Sequence, residues 1–235
     1  MVKKNSMPSY IALPITAALI YAIKLFYFND DAMLLNATAA SGLVSTLTPI
    51  TVIFGAIMFN RMMETTGCID IIRKWLATIS PNPVAQLMII GWAFAFMIEG
   101  ASGFGTPAAI AAPILMSLGF NPLKVAIFTL VMNSVPVSFG AVGTPTWFGF
   151  APLNLSAENI LAIGRQTGVM HFFAGFIIPV IGLSFIVPWS EIRKNLGFIG
   201  IAVFSCTIPY VALAMVNEEF PSLVAGAIGL MVSVF

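Results

Sequence analysis

Two short runs in this chain place glycine, threonine and proline in the same order. Gly103-Phe104-Gly105-Thr106-Pro107 and Ala141-Val142-Gly143-Thr144-Pro145 share the form small–apolar–Gly–Thr–Pro, 38 residues apart. Threonine is a good N-cap and proline is favoured in the first helical turn, so each Thr-Pro predicts a helix start. A helix starting in apolar surroundings aims unpaired N–H groups and about half a positive charge at whatever lies ahead of it. That is anion-binding chemistry, and the preceding glycines let an anion approach the backbone. Two such starts can meet one carboxylate from different directions. Gly103, Gly105, Thr106, Gly143 and Thr144 are therefore candidate anion ligands. Asn133, Ser134 and Ser138 lie just before the second run. They either bind a substrate hydroxyl or satisfy the broken backbone around them.

Glu99 stands four residues before Gly103 and is the sharpest single candidate. Every other acid falls in a loop or near a helix end. A carboxyl group inside an apolar stretch is costly and by default functional. Its role is reversible protonation or substrate-linked gating; the alternative is a structural carboxyl group that ties the local backbone together. His171, the only histidine, is either a proton relay or an interfacial side chain. Arg165 either guides an anion or pairs with Glu158, and Gly164-x-x-x-Gly168 offers a helix-packing contact.

The elements that must position these residues follow from composition. Of 235 residues 59% are hydrophobic and only 8% charged, against roughly 45–50% and about 25% in an ordinary globular domain. Such a chain cannot cover a water-exposed surface and belongs in a bilayer, with mean hydropathy at +1.00. The net charge of +1 shows no basic patch for nucleic acid, and Cys68 and Cys206 form neither a metal nor a redox motif. Nothing predicts an enzyme: there is no paired intramembrane acid, no His-Glu-x-x-His and no Gly-x-Ser-x-Gly. No cofactor or metal is expected.

Membrane spans need roughly 20 apolar residues. The sequence predicts a first span at 9–28, a second at 34–63, and later spans at 168–188 and 197–216. Between them lie two interrupted stretches. In 84–119, apolar arms Gln86–Ile98 and Ala108–Leu118 are each near half a span and flank the glycine-rich run, which predicts a re-entrant hairpin with its tip near the membrane middle. In 123–152 a broken helix repeats the device. A last run, 221–235, rises only about 22 Å as a helix, short of a hydrocarbon core of about 30 Å. It reads as a truncated span, and 1–235 as a single but incomplete membrane domain. Lysine and arginine set the orientation. With the N-terminus cytoplasmic, the inside segments hold Lys3, Lys4, Arg61, Arg73, Lys74, Lys124, Arg193 and Lys194, eight of the ten basic residues. Lys24 near the outer end of the first span must snorkel.

The run Glu99-Gly-Ala-Ser-Gly-Phe-Gly-Thr-Pro-Ala-Ala-Ile-Ala-Ala-Pro113, with Asn133-Ser-Val-Pro-Val-Ser-Phe-Gly-Ala-Val-Gly-Thr-Pro145, closely resembles the L-lactate permease family. Gly67, the Pro81 turn, Gly164-Arg165 and Pro221-Ser222-Leu223 extend the likeness over nearly the whole chain. The resemblance implies proton-coupled uptake of a small 2-hydroxy monocarboxylate (L-lactate, D-lactate or glycolate) across the cytoplasmic membrane, with H+ as coupling ion. It implies the N-terminal half of an all-α, polytopic, inverted-repeat transporter, whose partners are an organic anion, the lipid bilayer, and a C-terminal half or a second copy. The competing expectations are a non-transporting subunit that needs a partner chain, and a carrier for another organic anion. A dicarboxylate would want an extra cation, and no lysine or arginine lies near either motif.

Overall fold

A computed structural model describes residues 7–235. Lys3 and Lys4, part of the predicted inward N-terminus, lie outside the described residues. Among the described residues there is no strand. The chain is an all-α polytopic membrane protein. Four helical stretches are long and apolar enough to cross a membrane: Ala32–Thr65, Pro83–Ser102, Ala157–Ser184 and Leu196–Ala214. A fifth is the bent pair Pro122–Asn133 and Pro136–Leu153, whose halves meet at 59°.

The chain divides into two compact units, Met1–Asn60 and Arg61–Phe235. The first holds α1 (Ser9–Phe26), α2 (Ala32–Ser45) and most of α3 (Leu47–Thr65). Asn29 turns the chain after α1 with φ of 51°, and the Asp31 carboxylate accepts the Met33 N–H at 3.0 Å to cap α2. Lys24 Nζ meets Asp30 Oδ2 at 2.7 Å just past its helix end. Tyr21 donates to Asn36 at 2.7 Å, tying α1 to α2. Leu13, Leu19, Leu34, Leu43 and Phe54 are all exposed, so the apolar faces of this unit suit lipid rather than a core of their own.

The second unit continues through α4 (Cys68–Thr78), α5 (Pro83–Met88), a π-helical turn Ile89–Phe94, and α6 (Ala95–Ser102). Then come α7 (Thr106–Ser117), α8 (Pro122–Asn133), a 3-10 turn Pro136–Phe139, and α9 (Gly140–Phe150) with a 3-10 turn after it. The chain ends with α10 (Ala157–Ser184), α11 (Trp189–Lys194), α12 (Leu196–Ala214) and α13 (Pro221–Val234).

Pro83–Ser102 is the central rod, apolar all round and therefore buried all round. Trp92, Phe96, Phe128, Phe139 and Tyr210 are the large rings of the core. Phe96 and Phe139 each lie against Tyr210, with ring centres 5.4 and 5.3 Å away. The Trp92 N–H donates to the Ala202 carbonyl at 3.1 Å. Glycine sets the helix spacing. A Cβ at Gly226 would strike the Met97 backbone and one at Gly100 the Leu223 backbone, so α6 and α13 touch main chain to main chain. Gly168 faces Ala214 of α12, whereas Gly164 lies beside Phe139 and Glu218.

Two predicted bounds differ for a physical reason. α10 begins at Ala157 rather than 168, because Ser156 caps it by accepting the Asn159 N–H at 3.3 Å. Apolarity marks only the greasy part of a helix; its polar first turns carry Glu158 and Arg165. The arm before the first Gly-Thr-Pro is also longer than Gln86–Ile98. Helix runs through Glu99 to Ser102, whose hydroxyl donates back to the Ile98 carbonyl at 2.9 Å. Twenty residues from Pro83 to Ser102 rise about 30 Å, a full crossing, whereas α7 has twelve. The run between them follows Gly100, which packs on the start of α13, and Gly103 itself meets Ala141.

Candidate functional site

The two repeated runs share successive positive φ angles but differ at their first residue, where ψ is −153° at Gly103 and 51° at Ala141. Gly103, Phe104 and Gly105 have φ of 58°, 52° and 79°. Ala141, Val142 and Gly143 have 45°, 53° and 72°. Three successive positive φ angles, then Thr-Pro and a helix, are thus shared by both. A β-branched valine in this region is a genuine outlier, and strain of this kind collects at functional sites. The two runs also touch: a Cβ on Gly103 would lie 2.8 Å from that of Ala141.

Neither threonine is the N-cap that the sequence suggests. Left-handed Gly105 occupies the cap position of α7, which has no side-chain cap, and Thr106 is already helical. The Thr106 N–H is engaged by the Gly103 carbonyl at 3.0 Å. The Thr144 hydroxyl donates to the Ala141 carbonyl at 2.6 Å. By contrast α5 and α8 start on Asn82-Pro83 and Asn121-Pro122, where each asparagine oxygen accepts a first-turn N–H, from Val84 at 2.9 Å and Leu123 at 3.1 Å. Helix starts on Asn-Pro are capped by a side chain; the α7 start on Gly-Thr-Pro has no side-chain cap.

Glu99 lies on the last turn of α6, 1% exposed, with its carboxyl group pressed against Gly140. The Asn133 side chain, at the end of α8, reaches the same carboxyl group. Even so, Glu99 Oε2 and Asn133 Oδ1 are buried with no hydrogen-bond partner. Each is an acceptor that lacks a donor. A proton on the carboxyl group, a water molecule or a ligand hydroxyl would supply it.

The fold therefore gathers Glu99, Gly103, Asn133 and Gly140–Gly143 in one region. Gly143 closes it from the other side, where a Cβ would lie 2.5 Å from the Glu218 carbonyl oxygen and against Glu219 in the α12–α13 turn. Ser134 is turned away: it is exposed and donates to the Val131 carbonyl at 2.6 Å. Ser138 presents its carbonyl to the Thr146 hydroxyl at 2.9 Å. Arg165 donates its Nε–H to the Met215 carbonyl at 2.9 Å.

Some residues that hold the site were not legible as site residues. Pro136 has no N–H and breaks α8. Ser222 donates to the Pro136 carbonyl at 2.6 Å and Tyr210 to that of Val135 at 3.2 Å, both side chains being fully buried. His171, read as interfacial or a relay, has its Nδ1 2.7 Å from the Tyr210 hydroxyl. An irregular backbone inside a membrane demands such partners, but one chain alone does not say which hydroxyls they are. Among the described residues no three His, Cys, Asp or Glu side chains are placed to hold a metal. The cavity of about 590 Å³ on α12 and α13, lined by Ile201, Phe204 and Val232 among others, is an apolar outer groove that includes none of these residues.

A model of the L-lactate permease family matches residues 1–235. The chain belongs to this family. It is 62% identical to a Haemophilus influenzae protein named "Putative L-lactate permease", over all of this chain and 44% of that protein. It is 30% identical to the Escherichia coli L-lactate permease over 97% of this chain and 41% of the relative. An E. coli glycolate permease of the family is 32% identical over 83% of this chain and 33% of its own length. The chain thus spans less than half the length of these family members, matching their N-terminal part. No solved structure matches it.

Proposed function

We propose that this chain forms the N-terminal membrane unit of a secondary carrier for small 2-hydroxy monocarboxylates. L-lactate is the leading substrate, with D-lactate and glycolate in the same class, and uptake runs by proton symport across the cytoplasmic membrane. The names of its relatives support the substrate class. The observation that carries the mechanism is the contact of two glycine-led helix starts, Gly103 on Ala141, beside a buried carboxyl group that lacks a donor. The substrate carboxylate meets the starts of α7 and of the Thr144 helix, over Gly105 and Gly143. The Asn133 amide and Ser138 serve the 2-hydroxyl group. Glu99 takes up the coupling proton, which supplies the missing donor.

The orientation with the N-terminus inside rests on the lysine and arginine counts, and side-chain links support the grouping of segments on one face. Asn82 Nδ2 donates to Asn195 Oδ1 at 2.7 Å, joining two inside segments, and Arg165 reaches Met215 beside the outer turn. The site then lies toward the outer surface, next to Glu218 and Glu219. The test is uptake of labelled lactate by the complete carrier in proteoliposomes under an imposed pH gradient. Gradient-driven accumulation is expected, and its absence with lactate and glycolate alike refutes the assignment. A second reading, a unit that transports only with a further chain, is favoured by the coverage of 44% and 41% of the relatives. Reconstitution with a separately expressed C-terminal unit tests that reading: uptake restored by the separate chain supports it, and no uptake with it refutes it.

A further inference from the structure

The structure assigns His171 and Tyr210 as a directed hydrogen-bond relay that positions the broken end of α8, with His171 donating through Nδ1. The argument is one of counting protons. A tyrosine hydroxyl has one proton to give. The Tyr210 hydroxyl stands 2.7 Å from His171 Nδ1 and 3.2 Å from the Val135 carbonyl oxygen. The carbonyl can only accept, and the Ser222 hydroxyl, which also reaches Tyr210, gives its own proton to Pro136 and so likewise accepts. If Tyr210 donates to Val135, the short contact with His171 is a hydrogen bond only when Nδ1 carries the proton, which in a neutral ring leaves Nε2 bare. Three elements are then linked in one direction: His171 on α10, Tyr210 on α12, and the backbone that enters the turn Pro136–Phe139.

The surroundings fix this geometry. Tyr210 is fully buried between the rings of Phe96 and Phe139, and the imidazole lies nearly parallel to its ring at 28°. Phe139 directly precedes Gly140, on which the Glu99 carboxyl group rests. Ser222 holds the next carbonyl, that of Pro136, from α13. The relay therefore sets the place of the segment that carries the second Gly-Thr-Pro run without touching a ligand. His171 and Tyr210 are positioning residues.

Because the sequence has a single histidine, the tautomer can be observed directly. The purified chain, labelled with 15N-histidine and carrying a tag without histidine, is measured by NMR in detergent at pH 8. A protonated Nδ1 is expected; a bare Nδ1 with a protonated Nε2 overturns the assignment. Transport by the complete carrier gives the second arm. His171→Asn keeps an N–H where Nδ1 stands and retains uptake, whereas His171→Gln places its amide where Nε2 stands and loses uptake on the order of tenfold, as does Tyr210→Phe. Adding Tyr210→Phe to His171→Gln lowers uptake no further, the non-additivity of one shared network. Equal loss in the Asn and Gln variants refutes the positioning role, and the NMR arm stands whether or not lactate is the substrate.

Discussion

Replacing Glu99 with glutamine distinguishes a proton-coupling carboxyl group from a structural one. The substitution keeps the shape and turns one carboxyl oxygen into an NH2 group. In the structure Glu99 Oε2 and Asn133 Oδ1 are both buried acceptors without a donor. An amide at Oε2 replaces one orphan acceptor by a donor beside Asn133, whose side chain reaches the same group. A net hydrogen bond contributes roughly 0.5–1.5 kcal/mol and each buried orphan costs about 1–3 kcal/mol. A gain of about 1–3 kcal/mol is therefore expected for Glu99→Gln. In a chain of this size each kcal/mol moves the melting temperature by roughly 2–4 °C. The purified Gln variant therefore melts several degrees higher in detergent, and Glu99→Ala, which leaves Asn133 orphaned beside a cavity, melts lower. In the complete carrier the same Gln variant cannot exchange a proton. It loses accumulation driven by a pH gradient while lactate–lactate exchange persists. A Gln variant that melts lower than the parent, or accumulates lactate as well as the parent, refutes the reasoning.

Gly143→Ala forces a side chain into left-handed backbone, at about 1–2 kcal/mol, and drives it into the Glu218 carbonyl. Gly105→Ala has a similar φ but nothing within 4 Å of the added carbon, so in thermal melts it costs only the backbone penalty and the smaller shift. Ser222→Ala removes a fully buried donor from the Pro136 carbonyl and destabilises the chain by about 1–3 kcal/mol, read as a lower melting temperature and faster amide exchange around Val135–Phe139.

Much of this arrangement is legible in one sequence because the rules involved are local. Low charge and long apolar runs announce spans, and Gly-Thr-Pro announces a helix start wherever it stands. Glu99 is conspicuous because a carboxyl group in such a run has no bland reason to be there. What local rules miss is satisfaction at a distance. Ser222 lies 86 positions from the carbonyl it holds, and Tyr210 lies 75 from its own. A buried hydroxyl on an apolar helix looks alike in sequence whether it bonds its own preceding turn, as Thr207 does with Val203, or braces another element, as Ser222 does. The same limit shortened the arm before Glu99. Glycines signal a break, yet Gly100 stays helical because its bare Cα lets α13 approach.

The two runs reach three successive positive φ angles with different side chains. Gly103-Phe104-Gly105 uses two glycines, which take positive φ at little cost. Ala141-Val142-Gly143 has one, so Ala141 and Val142 hold left-handed angles that their side chains oppose by roughly 1–2 kcal/mol each. That cost must be offset by contacts, and the contacts are those of the site: Gly103 against Ala141, and Glu218 and Glu219 against Gly143. The second run is consequently the less stable of the two and depends on α6 and on the α12–α13 turn to keep its shape. In the proposed carrier, proton uptake at Glu99 would be felt at the second helix start through the contacts of Gly103 with Ala141 and of Glu99 with Gly140.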